Sequence, residues 1–170
     1  AGHGLFALTY MRGVLSGESR DAFLRRAVTR SEPAIWINAN LTKRDKVVLT
    51  ERQLVYLLNI PVYYAHREYE ALVENRPDSS DPSKFLEQLR KLGVSHILYT
   101  EDTQMTAAAK RSPGARWGLM GLTPALEEAN CVQLVRDFDL ISRGSRTLPD
   151  LAISTNRMKL LAIKPSACRF

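Results

Sequence analysis

The chain has 170 residues, with 24 Lys and Arg against 18 Asp and Glu for a formal charge of +6, and 45% of it is hydrophobic and 25% charged. That length holds one domain with a real core and is too short for two ordinary ones, and the composition excludes a disordered or low-complexity chain. The positive balance suits an anionic membrane surface, nucleic acid, acidic ligands or simply a basic exterior, and no arginine-rich tract or aromatic-interleaved RNA motif sharpens the nucleic-acid option.

No apolar run reaches the roughly 18 residues needed to span a bilayer. Residues 5–11 (LFALTYM) are apolar but short, and Arg12, Gly13, Ser16 and Gly17 follow at once. With no basic start and no small-residue cleavage site after a full apolar core, this is no signal peptide. A surface strand or helix, a terminal tail and the stub of a transmembrane helix remain as readings.

Residues 16–41 read as helix in two pieces. Glu18 and Asp21 near the start and Arg25, Arg26 and Arg30 further on complement a helix dipole. Ser31 caps the second piece and Pro33 opens it, with Ala34, Ile35, Ile37 and Leu41 as its apolar stripe and Trp36 at the flank. Residues 42–45 are a polar turn and 46–50 (KVVLT) a strand whose β-branched content suits a buried sheet. Residues 53–58 make a helical turn, and 60–64 (IPVYY) a strand that Pro61 demotes to an edge or restricts to its first residue. Residues 67–74 look helical, and 76–80 form an exposed linker.

The clearest unit is residues 81–99, DPSKFLEQLRKLGVSHILY. Asp81 caps a helix, Pro82 takes its first position, and Phe85, Leu86, Leu89 and Leu92 recur at helical spacing. Gly93 ends it in the left-handed conformation, and residues 94–99 follow as a strand. The helix–turn–strand step therefore occurs twice, which implies parallel strands with helices crossing between them. Residues 101–116 read as a loop or short helix, 123–130 as a helix with Pro124 at its first position, and 131–141 and 158–163 as strands joined through a long connection. The expected fold is a Rossmann-like three-layer α/β domain. Its sheet is mixed, parallel in its first part and closed by an antiparallel strand pair.

Ligands of open parallel sheets bind beyond the carboxyl ends of the strands. Those positions hold Glu51 and Arg52, then Tyr64 and His66, then Glu101 and Asp102, a set able to bind a polar ligand, though strand ends also carry polar residues merely because they meet solvent. No glycine-rich phosphate loop follows a strand, and Gly118 and Gly121 are spaced too loosely to supply one, so no nucleotide cofactor is expected. His3, His66 and His96 lack metal-ligand spacing, and no serine sits in a nucleophile elbow. His96, inside a strand, reads as a packed residue. Trp36, Trp117, Tyr63 and Tyr64 could stack on a sugar or base, with core packing the alternative, above all for Trp36. An antiparallel pairing of the last two strands brings Cys131 near the tail carrying Cys168. A disulfide and two unrelated thiols are both open.

The pattern in RGVLSGESRDAFLRR, then PAIWINANLTKRDKVVLTERQLVYLL, then FLEQLRKLGVSHILYT resembles the tail of a large group of bacterial membrane proteins. It is similar to the dolichyl-phosphate-mannose–protein mannosyltransferases and the lipid-A aminoarabinose transferase. The resemblance covers roughly the first 100 residues, rests on a mostly structural pattern, and does not extend beyond Thr100. Many such proteins end in a soluble α/β domain outside the cytoplasm. The resemblance implies that residues 1–15 are a membrane-proximal segment or helix stub and 16–170 a single domain facing the periplasm or cell exterior from the bacterial inner membrane. The remainder of its own membrane-embedded chain would be its partner. An anionic lipid surface and a lipid-linked sugar or acceptor would be further partners, a Cys131–Cys168 disulfide would suit the periplasm, and nucleic acid is disfavoured. The group's catalytic carboxylates lie in loops between membrane helices, so no catalytic residue transfers to this sequence. The role implied is accessory, binding or stabilising. A free-standing ligand-binding module or small enzyme using the strand-end residues is the alternative.

Overall fold

The computed structural model describes residues 15–28, 31–65, 81–101, 118–142, 154–165 and 168. In chain order these form α1 (Arg20–Ala27), α2 (Glu32–Asn40), β1 (Val47–Leu49), α3 (Arg52–Val55), β2 (Val62–Tyr64), α4 (Pro82–Lys91), β3 (His96–Glu101), α5 (Gly118–Glu128), β4 (Val132–Ser142) and β5 (Ser154–Ile163). The five strands make one open sheet in the order β2-β1-β3-β5-β4. β1 runs parallel to both β2 and β3, and β5 lies antiparallel between β3 and β4. The fold is mixed α/β with both strand senses in one sheet.

The strands bury alternate residues against helices on opposite faces. Val48, Ile97, Tyr99 and Leu161 join Phe85, Leu86 and Leu89 of α4 and Leu122 and Leu126 of α5. Val47, Leu49, Leu98, Leu160 and Met158 join Ala34 and Ile37 of α2 and Leu54 of α3. A bulge between Leu134 and Arg136 in β4 reverses the alternation along that strand. Val132 therefore packs with α4 and α5, while Phe138 crosses to the α2 side. There Phe138 meets the Trp36 ring edge-on at 6.1 Å between centroids, and the Arg136 guanidinium lies 5.9 Å from the Trp36 centroid.

Two helix–strand turns share one construction. Gly93 (φ 68) and Asn130 (φ 56) both take the left-handed conformation. Val94 N–H donates to Leu89 C=O and Gly93 N–H to Arg90 C=O; Cys131 N–H donates to Leu126 C=O and Asn130 N–H to Glu127 C=O. These are paired Schellman endings, which satisfy carbonyls that a helix terminus otherwise orphans.

Several sequence expectations need correction. The helix expected over 123–130 begins at Gly118 and contains Pro124 within it, and Asn130 lies in the turn beyond its end. Ser31 precedes α2 without a side-chain cap bond; its hydroxyl donates instead to Leu24 C=O at 2.9 Å, fastening α1 to α2. β3 starts at His96 and β5 at Ser154, two residues later and four earlier than expected. The expected helix over 67–74, the linker over 76–80 and the loop over 101–116 lie outside the described residues beyond Glu101, as do residues 1–14.

A Cβ on Gly93 would meet nothing within 4 Å, so only the backbone conformation opposes a side chain there. Gly93→Ala should cost about 1 kcal/mol, read as a lower urea midpoint at unchanged m-value, and Gly93→Asn should cost less. An Ala variant as stable as the parent would refute this account of the turn.

Candidate ligand site at the carboxyl ends of the parallel strands

β1 leads through α3 on one face to β2, and β2 leads through α4 on the other face to β3. The strand order thus reverses between β1 and β3, the place where open α/β sheets form a ligand crevice. At its mouth Thr100 Oγ1 donates to Glu51 Oε1 at 3.2 Å. This bond ties the residue after β1 to the end of β3 on the α2 side of the sheet.

Glu101, the next residue of β3, turns to the other face. Its carboxylate lies 3.4 Å from Lys159 Nζ, which also stands 3.6 Å from Glu127 of α5. Tyr99 donates its hydroxyl to Glu127 Oε2 at 2.8 Å, and Asp137 of β4 sits opposite Lys159 in the ladder. Only 17% of the Lys159 side chain is exposed. Burial, and secondly the hydrogen bond to Glu127, pushes the Tyr99 phenol far above its usual range, so it acts here as a donor only. The group as a whole is one ammonium, one phenol and three carboxylates. It can accept hydrogen bonds from ligand hydroxyls and donate through Lys159, and it contains no nucleophile poised beside a base.

The residues singled out from sequence are only partly brought together. Glu51 and Glu101 flank the crevice on opposite faces of the sheet. Arg52 is the exposed first residue of α3, and Tyr64, half-buried at the end of the edge strand β2, packs against the α2-side cluster. His66 and Asp102 lie outside the described residues. Tyr99, Glu127, Asp137 and Lys159 were missed: three are mid-strand and one is on α5, and only cross-strand register makes them neighbours. Among the described residues no group of three or more His, Cys, Asp or Glu could hold a metal, and no helix is long and apolar enough to cross a membrane. Cys131 and Cys168 are joined as a disulfide with Cα atoms 4.6 Å apart.

A second polar group closes the opposite end of the sheet. Asp45 accepts from Thr42 N–H and Thr42 Oγ1, each at 2.9 Å. Ser95 Oγ lies 2.8 Å from His96 Nδ1, with Asp45 Oδ1 at 3.8 Å from the same nitrogen. Serine and aspartate approach one ring nitrogen, so this is not a catalytic relay, which needs them on opposite nitrogens. The Thr42 backbone bond holds the Asp45 carboxyl below its ordinary range, while burial, against the opposing pull of Asp45, lowers His96. Compared with known proteins, the chain matches no family model, no curated protein and no solved structure.

Above the ordinary imidazole value of 6.5, His96 is neutral in both folded and unfolded chains and its contribution is complete. Below that value the unfolded chain takes up the proton first, so stability is lost as pH falls toward the depressed folded value. The urea midpoint should therefore drop between about pH 7.5 and about pH 5.5, more steeply than in His96→Asn; equal slopes would remove His96 as the cause. Lys159→Met should cost about 1–2 kcal/mol, between the values for exposed and buried pairs. Adding Glu127→Gln to Lys159→Met should restore part of it in a double-mutant cycle, whereas strict additivity would mean that the Lys159–Glu127 pair contributes nothing.

Proposed function

We propose that the chain is the extracytoplasmic domain of a bacterial integral-membrane glycosyltransferase, related to the protein mannosyltransferase and aminoarabinose transferase group and carried on the periplasmic side of the inner membrane. Its role is accessory. It binds or positions substrate, or steadies the membrane portion, while transfer of sugar from a polyprenyl-phosphate carrier takes place elsewhere in the full protein. There an acceptor hydroxyl gives its proton to a carboxylate base and attacks the anomeric carbon of the lipid-linked sugar, whose bond to the phosphate oxygen breaks as the polyprenyl phosphate leaves. In this reading the two helix-covered faces make a Rossmann-like three-layer domain, closed on one side by the antiparallel β4–β5 pair.

The observation that carries the reading is how the residues of the resemblance are used. Asn38, from WINANL, donates through Nδ2 to Leu57 C=O at 2.8 Å and accepts from Asn59 N–H at 2.7 Å. It thereby clamps YLL and the residue after it. Ile37 and the VVL of KVVLTE are wholly buried, and Trp36 packs on Phe138. Asn38, Ile37, Trp36 and the VVL segment thus hold the fold together rather than reaching toward a reaction centre, which suits an accessory domain. The Cys131–Cys168 disulfide suits an oxidising compartment.

A second reading, a free-standing module that binds a small polar ligand, is favoured by the Lys159 group at the crevice. The reading frame upstream of Ala1 separates the two. Several apolar stretches of about 20 residues are expected there. In membranes carrying the full chain, removal of residues 16–170 should lower sugar transfer from a polyprenyl-phosphate donor, and the isolated domain should have none. A start codon next to Ala1 would overturn the first reading and leave the second.

A further inference from the structure

At the end of the sheet where β1 and β3 begin, β5 finishes and β4 starts, since Val47 pairs with His96, His96 with Ala162 and Val132 with Ile163. The carboxyl ends of α2, α4 and α5 arrive there too, because each helix leads directly into the strand that starts at that end. Six cations gather at this end: Lys43, Arg44, Lys46, Arg90, Lys91 and Lys164. Against them the described residues place Asp45, which is turned to Thr42, together with Glu87, paired to Lys91 at 2.8 Å, and Glu128. The opposite end is not basic, with Glu51, Asp81, Glu101, Glu127, Asp137 and Asp139 set against Arg52, Lys84, Arg157 and Lys159.

Three of the six cations are fixed in place. Lys46 Nζ donates to Leu92 C=O at 2.6 Å, Arg90 Nη2 to Lys164 C=O at 2.8 Å, and Lys164 Nζ to Asn130 Oδ1 at 2.6 Å. Lys46 meets the carboxyl end of α4, Arg90 a carbonyl just beyond β5 and Lys164 a side-chain amide oxygen, so neutral acceptors hold all three and each keeps its positive charge. Lys43 and Arg44 project from an exposed turn, and no carboxylate pairs with either among the described residues.

We propose that this end is a basic platform that docks on the anionic headgroups of a bilayer. The inference rests on the membrane reading above and names the face that meets the lipid. Fixed cations supplying field, with two exposed ones in front, suit a plane of negative charge. Residues 42–46, 90–93 and 162–165, which carry the cations, contain no aromatic side chain on which a base could stack, so single-stranded nucleic acid finds no platform there.

The test is co-sedimentation of the 170-residue chain with vesicles of phosphatidylcholine alone or mixed with phosphatidylglycerol. Binding should require phosphatidylglycerol and weaken as salt rises. Lys43→Ala with Arg44→Ala should lower the partition coefficient about thirty-fold, from the typical contribution of each basic residue near such a surface. Lys84→Ala with Arg157→Ala, the same charge change at the other end, should lower it only a few-fold, and circular dichroism should show both variants folded. Absence of binding by the parent, or equal losses in the two variants, overturns the proposal. So does tighter binding of a single-stranded RNA oligonucleotide with the same dependence on Lys43 and Arg44. Apolar spans upstream with no vesicle binding would remove this inference alone; vesicle binding with no spans upstream would keep the platform and remove the transferase reading.

Discussion

The sheet depends on the pairing of β1 with β3, and β1 is only three residues long. Val47, Val48 and Leu49 are each 0% exposed. Burial of such side chains is worth about 1.5–3 kcal/mol apiece, while so short a parallel ladder contributes few hydrogen bonds of its own. The pair is therefore latched at both ends by side chains. At one end Ser95 Oγ accepts from Lys46 N–H at 3.0 Å and lies beside His96 and Asp45. At the other, Thr100 holds Glu51. The polar residues at the two ends of the β1–β3 pair are first of all clasps on this pairing, and any ligand role is added to that duty.

The parts of the fold legible in the sequence are those written by local rules. Asp81 accepts from Ser83 N–H, Pro82 opens α4, and Gly93 ends it, each a choice the neighbouring backbone dictates. The repeated helix–turn–strand step gave parallel β1 and β3, and Pro61 precedes an edge strand as its missing N–H requires. Non-local features were not legible. The bulge that sends Phe138 to the α2 face answers to Trp36, about a hundred residues away in sequence. Asn130 serves as the left-handed turn residue where a glycine would have been the plainer signal. Pro124 misled because its preference for a first helical turn is statistical, and α5 accommodates it further in.

The candidate site divides the same way. The rule that ligands gather at strand carboxyl ends finds Glu51 and Glu101, whose place depends on the strand alone. Lys159, Asp137 and Glu127 depend on β5 lying between β3 and β4, and on α5 covering that face. One residue's difference along β3 sends Thr100 and Glu101 to opposite faces, so two carboxylates expected to converge are separated by the sheet.

The same topology sets the electrical character of the two ends. Helices α2, α4 and α5 all finish at the end where β1, β3 and β4 begin, and there Lys46 donates to Leu92 C=O at the end of α4, Arg90 to Lys164 C=O and Lys164 to the Asn130 side chain. The disulfide binds Cys131 to the chain just beyond Lys164 and sets the Cys168 sulfur 3.9 Å from Arg90 Nη2. Lys46, Arg90 and Lys164 are thus held by neutral oxygen acceptors, and none of them needs a carboxylate partner to keep its position. A surface built this way keeps its net charge, because neutral acceptors position these cations without cancelling them.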